Sequence, residues 1–306
     1  DSAGYVTTIV RLPSAANGQN VQLKWRFGAD NNTAPVGGGW NIDNLVVSGN
    51  TQCIIVDNFP KSRADFDGDG KTDLSVYRPS EGIWYLNRST QGFTAVGFGL
   101  SADIPTPGDF DGDWKADVAV WRPSDGNWYR LNSSTGQFIV IHFGTVGDIP
   151  QSGDFDADGK DDLAVFRPST GVWYVLNSSN GQVTVLNFGL IGDQPVADDY
   201  DGDGKDDIAV WRPSTGVWYR INSGNGQFIA FAFGLPTDLA VPADYDGDTK
   251  VDVAVFRPSN GLWYRIKRTD GQDVILSFGL SGDMPVPGDY DGDGKDDQAV
   301  YRGGIW

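Results

Sequence analysis

Asp65-Phe-Asp-Gly-Asp-Gly-Lys-Thr-Asp73 is the stretch whose reading decides the fold, because the chain repeats it. Copies begin at Asp109, Asp154, Asp199, Asp244 and Asp289, at spacings of 44 and then 45 residues. A fixed period of that size marks one supersecondary unit that buries its apolar face only against its neighbours. Reading outward from the loop, the same order of segments recurs. In the first copy the run Leu74-Ser-Val-Tyr-Arg-Pro-Ser80 follows, and in the fourth Ile208-Ala-Val-Trp-Arg-Pro-Ser214. Then come the turn Thr215-Gly216, a second run over 217–222, the turn Asn225-Gly226 and a third run over 227–234. The connector Leu235-Pro-Thr-Asp238 leads to a fourth run over 239–245. Short β-runs separated by such dipeptides make antiparallel hairpins. Four strands in 45 residues is the size of one propeller blade.

Alternation within the runs favours stacked blades over an open sheet. Ile208 and Val210 share one face of their strand while Ala209 and Trp211 share the other, so both faces are apolar and both need cover. The Trp-Tyr pairs at 84/85, 128/129, 173/174, 218/219 and 263/264 again put one ring on each face. The expected fold is therefore all-β: a six-bladed β-propeller of four-stranded antiparallel blades over residues 51–306. Composition agrees. Glu81 is the sole glutamate, and 41 glycines, 16 prolines and 38 aromatic residues are a poor basis for helices.

The loops themselves carry the chemistry. Carboxylates at positions 1, 3, 5 and 9, with a backbone carbonyl at position 7, are how a short loop surrounds a hard cation with oxygen. The sets are Asp65, Asp67, Asp69 and Asp73 with Lys71; Asp109, Asp111, Asp113 and Asp117 with Lys115; and Asp154, Asp156, Asp158 and Asp162 with Lys160. They continue with Asp199, Asp201, Asp203 and Asp207 with Lys205; Asp244, Asp246, Asp248 and Asp252 with Lys250; and Asp289, Asp291, Asp293 and Asp297 with Lys295. Up to six Ca²⁺ ions are expected, with position 9 as the bidentate ligand. Position 12 falls in a strand at Val76 rather than on a helix with Glu, which excludes an EF-hand. Gly70, Gly159, Gly204 and Gly294 suit the sharp turn at position 6, whereas Trp114 and Thr249 do not and mark the second and fifth sites as weaker. Without cations, four like charges within nine residues would be an uncompensated cost; six divalent ions would bring the formal −18 to −6.

These repeats resemble the FG-GAP and VCBS repeats of extracellular propellers, including the blades of integrin α-subunit heads. The matching elements are the Asp loops and the Phe-Gly ends at 98–99, 143–144, 188–189, 233–234 and 278–279, and the resemblance covers about residues 57–306. It implies a propeller, an extracellular setting and calcium, and it names no ligand.

Other functions are disfavoured. A charge of −18 offers nucleic acid no basic face. No apolar run approaches 18 residues, so no membrane span is expected. His142 and Cys53 are single and accompany no nucleophile, hydrolase or phosphate-loop pattern, so no catalytic residues are assigned. The Arg-Pro-Ser triplets at Arg78, Arg122, Arg167, Arg212 and Arg257, with Arg302-Gly, read as strand-end arginines paired to an Asp or carbonyl; a fork for a carboxylate or sugar is the alternative. The tryptophans read as core packing, with sugar stacking as the alternative.

Residues 1–50 stand outside the repeat. Strand-like runs at 5–12, 21–27 and 40–47 resemble the closing part of a jelly-roll domain, a partial β-sandwich. The chain starts at Asp1 without Met, which reads as a processed or partial polypeptide. Residues 51–56 resemble a blade strand and are expected to close the ring against 284–306, leaving 1–50 available for self-association. The function expected is a secreted or cell-surface, bacterial, calcium-stabilised module for adhesion, binding or structure, whose partner is an extracellular protein or glycan. Alternatives are a lectin or accessory domain of a larger secreted enzyme, and a subunit of a filament or surface layer.

Overall fold

A computed structural model describes residues 64–266 and 273–306, all within a unit running Asn58–Trp306. The expectations for residues 1–50, for the domain boundary at 50/51 and for strand 51–56 lie outside the described residues. Every regular element among the described residues is a β-strand. The first sheet comprises β1 (Leu74–Arg78), β2 (Ile83–Arg88) and β3 (Gly92–Gly97). The second orders β4 (Ile104–Pro105), β5 (Val118–Arg122), β6 (Asn127–Leu131) and β7 (Phe138–His142). The third orders β8 (Ile149–Gly153), β9 (Asp162–Arg167), β10 (Val172–Leu176) and β11 (Val183–Asn187). The fourth has β12 (Gln194–Pro195), β13 (Ile208–Arg212), β14 (Val217–Ile221) and β15 (Phe228–Ala232). The fifth has β16 (Leu239–Ala240), β17 (Ala254–Arg257), β18 (Leu262–Ile266) and β19 (Asp273–Ser277). Last, β20 (Met284–Pro285) pairs with β21 (Val300–Tyr301).

Two expectations change here. The propeller shows five blades rather than six four-stranded ones, the first of them three-stranded; the sixth repeat contributes its loop and a two-stranded sheet. The blade is also phased differently. The run over 239–245 does not finish its own repeat. Its first two residues form β16, which pairs with β17 beyond the loop, and the pairing continues through Val241 N–H to the Ala254 carbonyl and the Ala243–Asp252 bridge. Each acidic loop is thus the hairpin connection inside a blade, not a link between blades.

Packing follows the two-faced alternation. β5, β9, β13 and β17 are buried on both sides, and each apolar cluster joins one sheet to the next. Phe110, Ala119, Trp121 and Trp128 of the second pack with Leu163 and Val165 of the third, and Trp211 and Trp218 of the fourth pack with Val253 and Val255 of the fifth. Trp84, Trp128, Trp173, Trp218 and Trp263 are buried, and their indole N–H groups donate to the carbonyls of Phe98, Phe143, Phe188, Phe233 and Phe278 at 2.6 to 3.0 Å. The Trp is therefore a core residue whose one polar atom is satisfied by the Phe-Gly end. The following glycine is required by proximity: a Cβ on Gly189 would lie 2.7 Å from Phe166, at a φ of +141°.

Candidate metal centres

Each loop is organised by its first aspartate. Asp65 accepts Gly68 N–H at 2.6 Å on one oxygen and Gly70 N–H at 2.8 Å on the other, so position 1 folds the turn around its own carboxylate. Asp109, Asp154, Asp199, Asp244 and Asp289 repeat this with the amides at positions 4 and 6. Position 6 lies at positive φ, which costs Gly nothing but is strained at Trp114 (68°) and Thr249 (67°). Ala157, at position 4 of the third loop, shows the same departure at 61°.

In the first four loops position 9 ties the loop to two backbone amides. Asp73 accepts Phe66 N–H at 2.7 Å and Ser89 N–H at 2.7 Å, and Asp117, Asp162 and Asp207 accept Ser133, Ser178 and Ser223 N–H at 2.6 Å. Burial pushes the carboxyls of Asp117, Asp162 and Asp207 up to about 6 and that of Asp252 to about 7. Position 3 differs. Asp67 Oδ2 takes the amides of Thr90 and Gln91, and Asp111 and Asp156 take the hydroxyls of Ser134 and Ser179. The other oxygen, Oδ1 of Asp67, Asp111, Asp156, Asp201 and Asp246, is buried with no hydrogen-bond donor among the described residues. A buried carboxylate oxygen left bare is costly, and a cation is the partner its charge calls for.

Three of the four expected aspartates converge in each of five loops. Oxygens of Asp65, Asp67 and Asp73 lie within 4.8 Å of one another, as do those of Asp109, Asp111 and Asp113; Asp154, Asp156 and Asp162; Asp199, Asp201 and Asp203; and Asp244, Asp246 and Asp248. Position 5 accepts the amide of position 7 in all six loops, from Lys71, Lys115, Lys160, Lys205, Lys250 and Lys295, the lysines whose carbonyls are the expected ligands. The uncommitted oxygen belongs to position 3 in the first four loops, whereas in the fifth both oxygens of Asp246 and both oxygens of Asp252, its position 9, have no donor among the described residues.

Three partners were missed by sequence reasoning. The serines at 89, 133, 178 and 223 hold position 9 from the next hairpin turn, always 16 residues downstream, a recurrence visible in the sequence. The lysine stems cross between blades: Lys115 lies over Gly68, Lys160 over Gly112, Lys250 over Gly202, Lys295 over Gly247 and Lys71 over Gly292. The loops are also chained by backbone. Ala116, Asp161, Asp206, Val251 and Asp296 each donate N–H to the carbonyl of the preceding loop's first aspartate, at 2.6 to 2.9 Å. Thr72 donates to Asp289 at 2.6 Å, so the chain of loops closes on itself.

The remaining candidates fall elsewhere. Arg122, Arg167, Arg212, Arg257 and Arg302 grip Asp103, Asp148, Asp193, Asp238 and Asp283 through Nε and Nη2, so their forks are already filled. The first four of these arginines also lie over Tyr129, Tyr174, Tyr219 and Tyr264 at 4.0 to 4.4 Å. Arg78 instead meets Glu81 at the surface. His142 ends β7, exposed, with Nδ1 3.0 Å from Asn127 Oδ1. Cys53 lies outside the described residues, and no helix among the described residues is long and apolar enough to cross a membrane.

Comparison with known proteins bears on the repeat. The model of the FG-GAP-like repeat matches residues 109–165 and 199–255, and that of the FG-GAP repeat matches 146–186. No curated protein sequence matches the chain. Among solved structures, an Agrocybe aegerita lectin that recognises non-reducing terminal N-acetylglucosamine is similar at 13% identity and a TM-score of 0.50, over 80% of this chain and 86% of that one. Virginiamycin B lyase from Staphylococcus aureus follows at 10% identity and 0.48, over 72% and 75%. A Lactobacillus plantarum protein gives 16% identity and 0.42, over 68% and 67%. At such identities the likeness concerns the fold alone.

Proposed function

We propose, from the premise that the described residues are a β-propeller of FG-GAP repeats, that this chain is a calcium-loaded, non-catalytic binding module acting outside the cell, secreted or at the cell surface. Adhesion to an extracellular protein or glycan is the role that reading favours. The observation that carries the calcium assignment is the buried Oδ1 of position 3, bare of protein donors in five loops. The oxygens of positions 1, 3, 5 and 9 and the carbonyl of position 7 would hold the ion. Calcium would supply the positive charge that these converging carboxylates lack and would fasten each loop to its hairpin turn.

Absence of catalysis is supported by how the titratable groups are used. The first aspartate of each loop is engaged by backbone amides, and His142 sits with Asn127 on an outer strand. The blade tryptophans Trp84, Trp128, Trp173, Trp218 and Trp263 are buried and offer no ring face to a sugar, which leaves the exposed Trp114 and Trp306 for any stacking.

The test is a calcium titration of metal-stripped protein by calorimetry, with native mass spectrometry to count ions. Several bound calcium ions and a melting temperature lowered strongly by chelator are expected. A protein that binds none and melts identically with and without chelator would refute the reading. Replacing Asp199 and Asp201 by Asn should remove one ion and leave the other loops loaded.

A further inference from the structure

The five acidic loops beginning at Asp65, Asp109, Asp154, Asp199 and Asp244 differ in what stands behind them. One register position on the second strand of each hairpin decides it. Leu86, Arg130, Val175, Arg220 and Arg265 face Ser75, Ala119, Ala164, Ala209 and Ala254 across their sheets. Leu86 packs in the apolar cluster with the loop aromatic Phe66. The arginines take the same place with a charge. Arg130 lies 5.3 Å from the Phe110 ring, Arg220 5.1 Å from Tyr200 and Arg265 5.3 Å from Tyr245, each ring being position 2 of its own loop.

Arg130 and Arg265 are close enough to the loop carboxylates to act on them, and Arg220 holds the corresponding register position. Arg130 Nη1 donates to the Phe110 carbonyl at 3.3 Å, between the ligand candidates Asp109 and Asp111. Asp117 and Asp111 raise the proton affinity of Arg130 against its burial, and Arg265 opposes the upward push that burial gives Asp252. Nε of Arg130 and both Nε and Nη1 of Arg265 are buried with no acceptor among the described residues, so these side chains are held there by packing and field rather than by a filled fork.

We propose that Arg130, Arg220 and Arg265 divide the cation sites into two affinity classes. The loops backed by Leu86 and Val175 hold a divalent cation tightly and stay loaded. The loops backed by arginine, beginning at Asp109, Asp199 and Asp244, hold it more weakly and exchange it as its concentration changes. The physical cause is one fixed positive charge behind a cluster of four carboxylates, which lowers the net attraction for an incoming cation. The inference rests on the calcium reading above, with the bare Oδ1 atoms of Asp67 and of Asp111, Asp201 and Asp246 as its sign that both classes accept an ion. The propeller would then combine permanent fasteners with sites that respond.

Arg220 gives the clean test, because Gly204 already suits position 6 of its loop and turn strain does not confuse the result. Arg220→Leu installs the residue that the first blade carries at Leu86, and Arg220→Gln keeps the length without the charge. Whole chain, stripped of metal, is titrated with calcium by calorimetry, and ions are counted by native mass spectrometry at limiting calcium. Wild type should show a tight phase and a weaker phase. Both variants should move one ion into the tight phase, with affinity for it raised on the order of tenfold. The reciprocal Leu86→Arg should move one ion out. A single binding constant in wild type, or an unchanged tight phase in both Arg220 variants, overturns the proposal while leaving calcium binding intact. Silence in every protein overturns it together with the calcium reading, and is recognised by the missing ions in wild type itself.

Discussion

Asp193→Ala should destabilise the propeller while touching no loop aspartate. Asp193 is 2% exposed and receives three hydrogen bonds: Arg212 Nε at 2.7 Å, Arg212 Nη2 at 2.8 Å and the Leu190 amide at 2.8 Å. Removing one partner of a buried pair costs about 3–5 kcal/mol, because the surviving charge is stranded. The Arg212 side chain retains 19% of its exposure and can turn to water, which brings the expected loss to about 2–3 kcal/mol. For a domain of this size each kcal/mol moves the melting temperature by roughly 2–4 °C, so a fall of about 4–12 °C is expected by calorimetry at fixed calcium. Arg212→Met strands the carboxylate instead and should cost at least as much. The double variant should recover part of both losses, since an apolar pair leaves nothing stranded. The repeat contains its own control: Arg78 pairs with Glu81 at 51% and 41% exposure, and Arg78→Met should leave the transition in place. A fall below about 1 °C for Asp193→Ala, or additive losses in the double variant, would refute the assignment of these pairs as structural clamps.

Two further outcomes follow from the loops. In metal-free protein, folding should weaken as pH rises from about 4 through about 7. Asp117, Asp162, Asp207 and Asp252 have folded-state values raised to about 6 or 7, so the fold binds their protons more tightly than the unfolded chain does and loses that advantage on ionisation. Chelated protein melted across that range should show the decline, and saturating calcium, which needs the ionised form, should reverse its sign; stability rising with pH in both conditions would contradict it. Thr249→Gly should raise the melting temperature by a few degrees, because it relieves a β-branched residue at a φ of 67°, a gain of up to about 1 kcal/mol after the entropy of glycine is counted. A lower melting temperature would show that Thr249 contributes a contact worth more than the strain.

The sequence made the repeat legible because both of its signals are local. Period-two alternation in Ile208–Arg212 and turn dipeptides such as Thr215-Gly216 need no knowledge of the rest of the chain. The phase of the blade was hidden because β16 is two residues long and carries no alternation; its pairing with β17 across the loop is a tertiary fact. The loop aspartates were legible by spacing, but their division of labour was not. Which oxygen is committed to an amide and which is bare depends on Ser89 and its equivalents, 16 residues beyond the loop's end. Asp193 was hidden for another reason. Among so many aspartates it looks like its neighbours, and only the constant offset of 19 residues to the strand-end arginine, repeated at Asp103, Asp148, Asp238 and Asp283, marks it.

That offset explains how one residue type serves two opposite ends of the same blade. β13 (Ile208–Arg212) begins directly after Asp207, the last residue of its loop, so the loop and the Arg212–Asp193 pair occupy opposite ends of the strand. At the arginine end each connector aspartate meets a full guanidinium and the local charge closes. At the loop end four aspartates meet mostly backbone amides, which donate hydrogen bonds but carry no net charge. The net −18 of the chain is therefore not spread evenly; its surplus gathers where the loops are chained into a ring. A ring of like charges pushes against its own closure, and the Thr72–Asp289 contact that joins first loop to last is where that repulsion has least covalent restraint. Cations at the loops would act there twice, by completing each loop and by removing the force that opens the ring. Loss of calcium should accordingly begin at this junction, with the amide of Thr72 exchanging its hydrogen sooner than those of Asp161 or Asp206; equal protection at all three would show that the ring opens nowhere first.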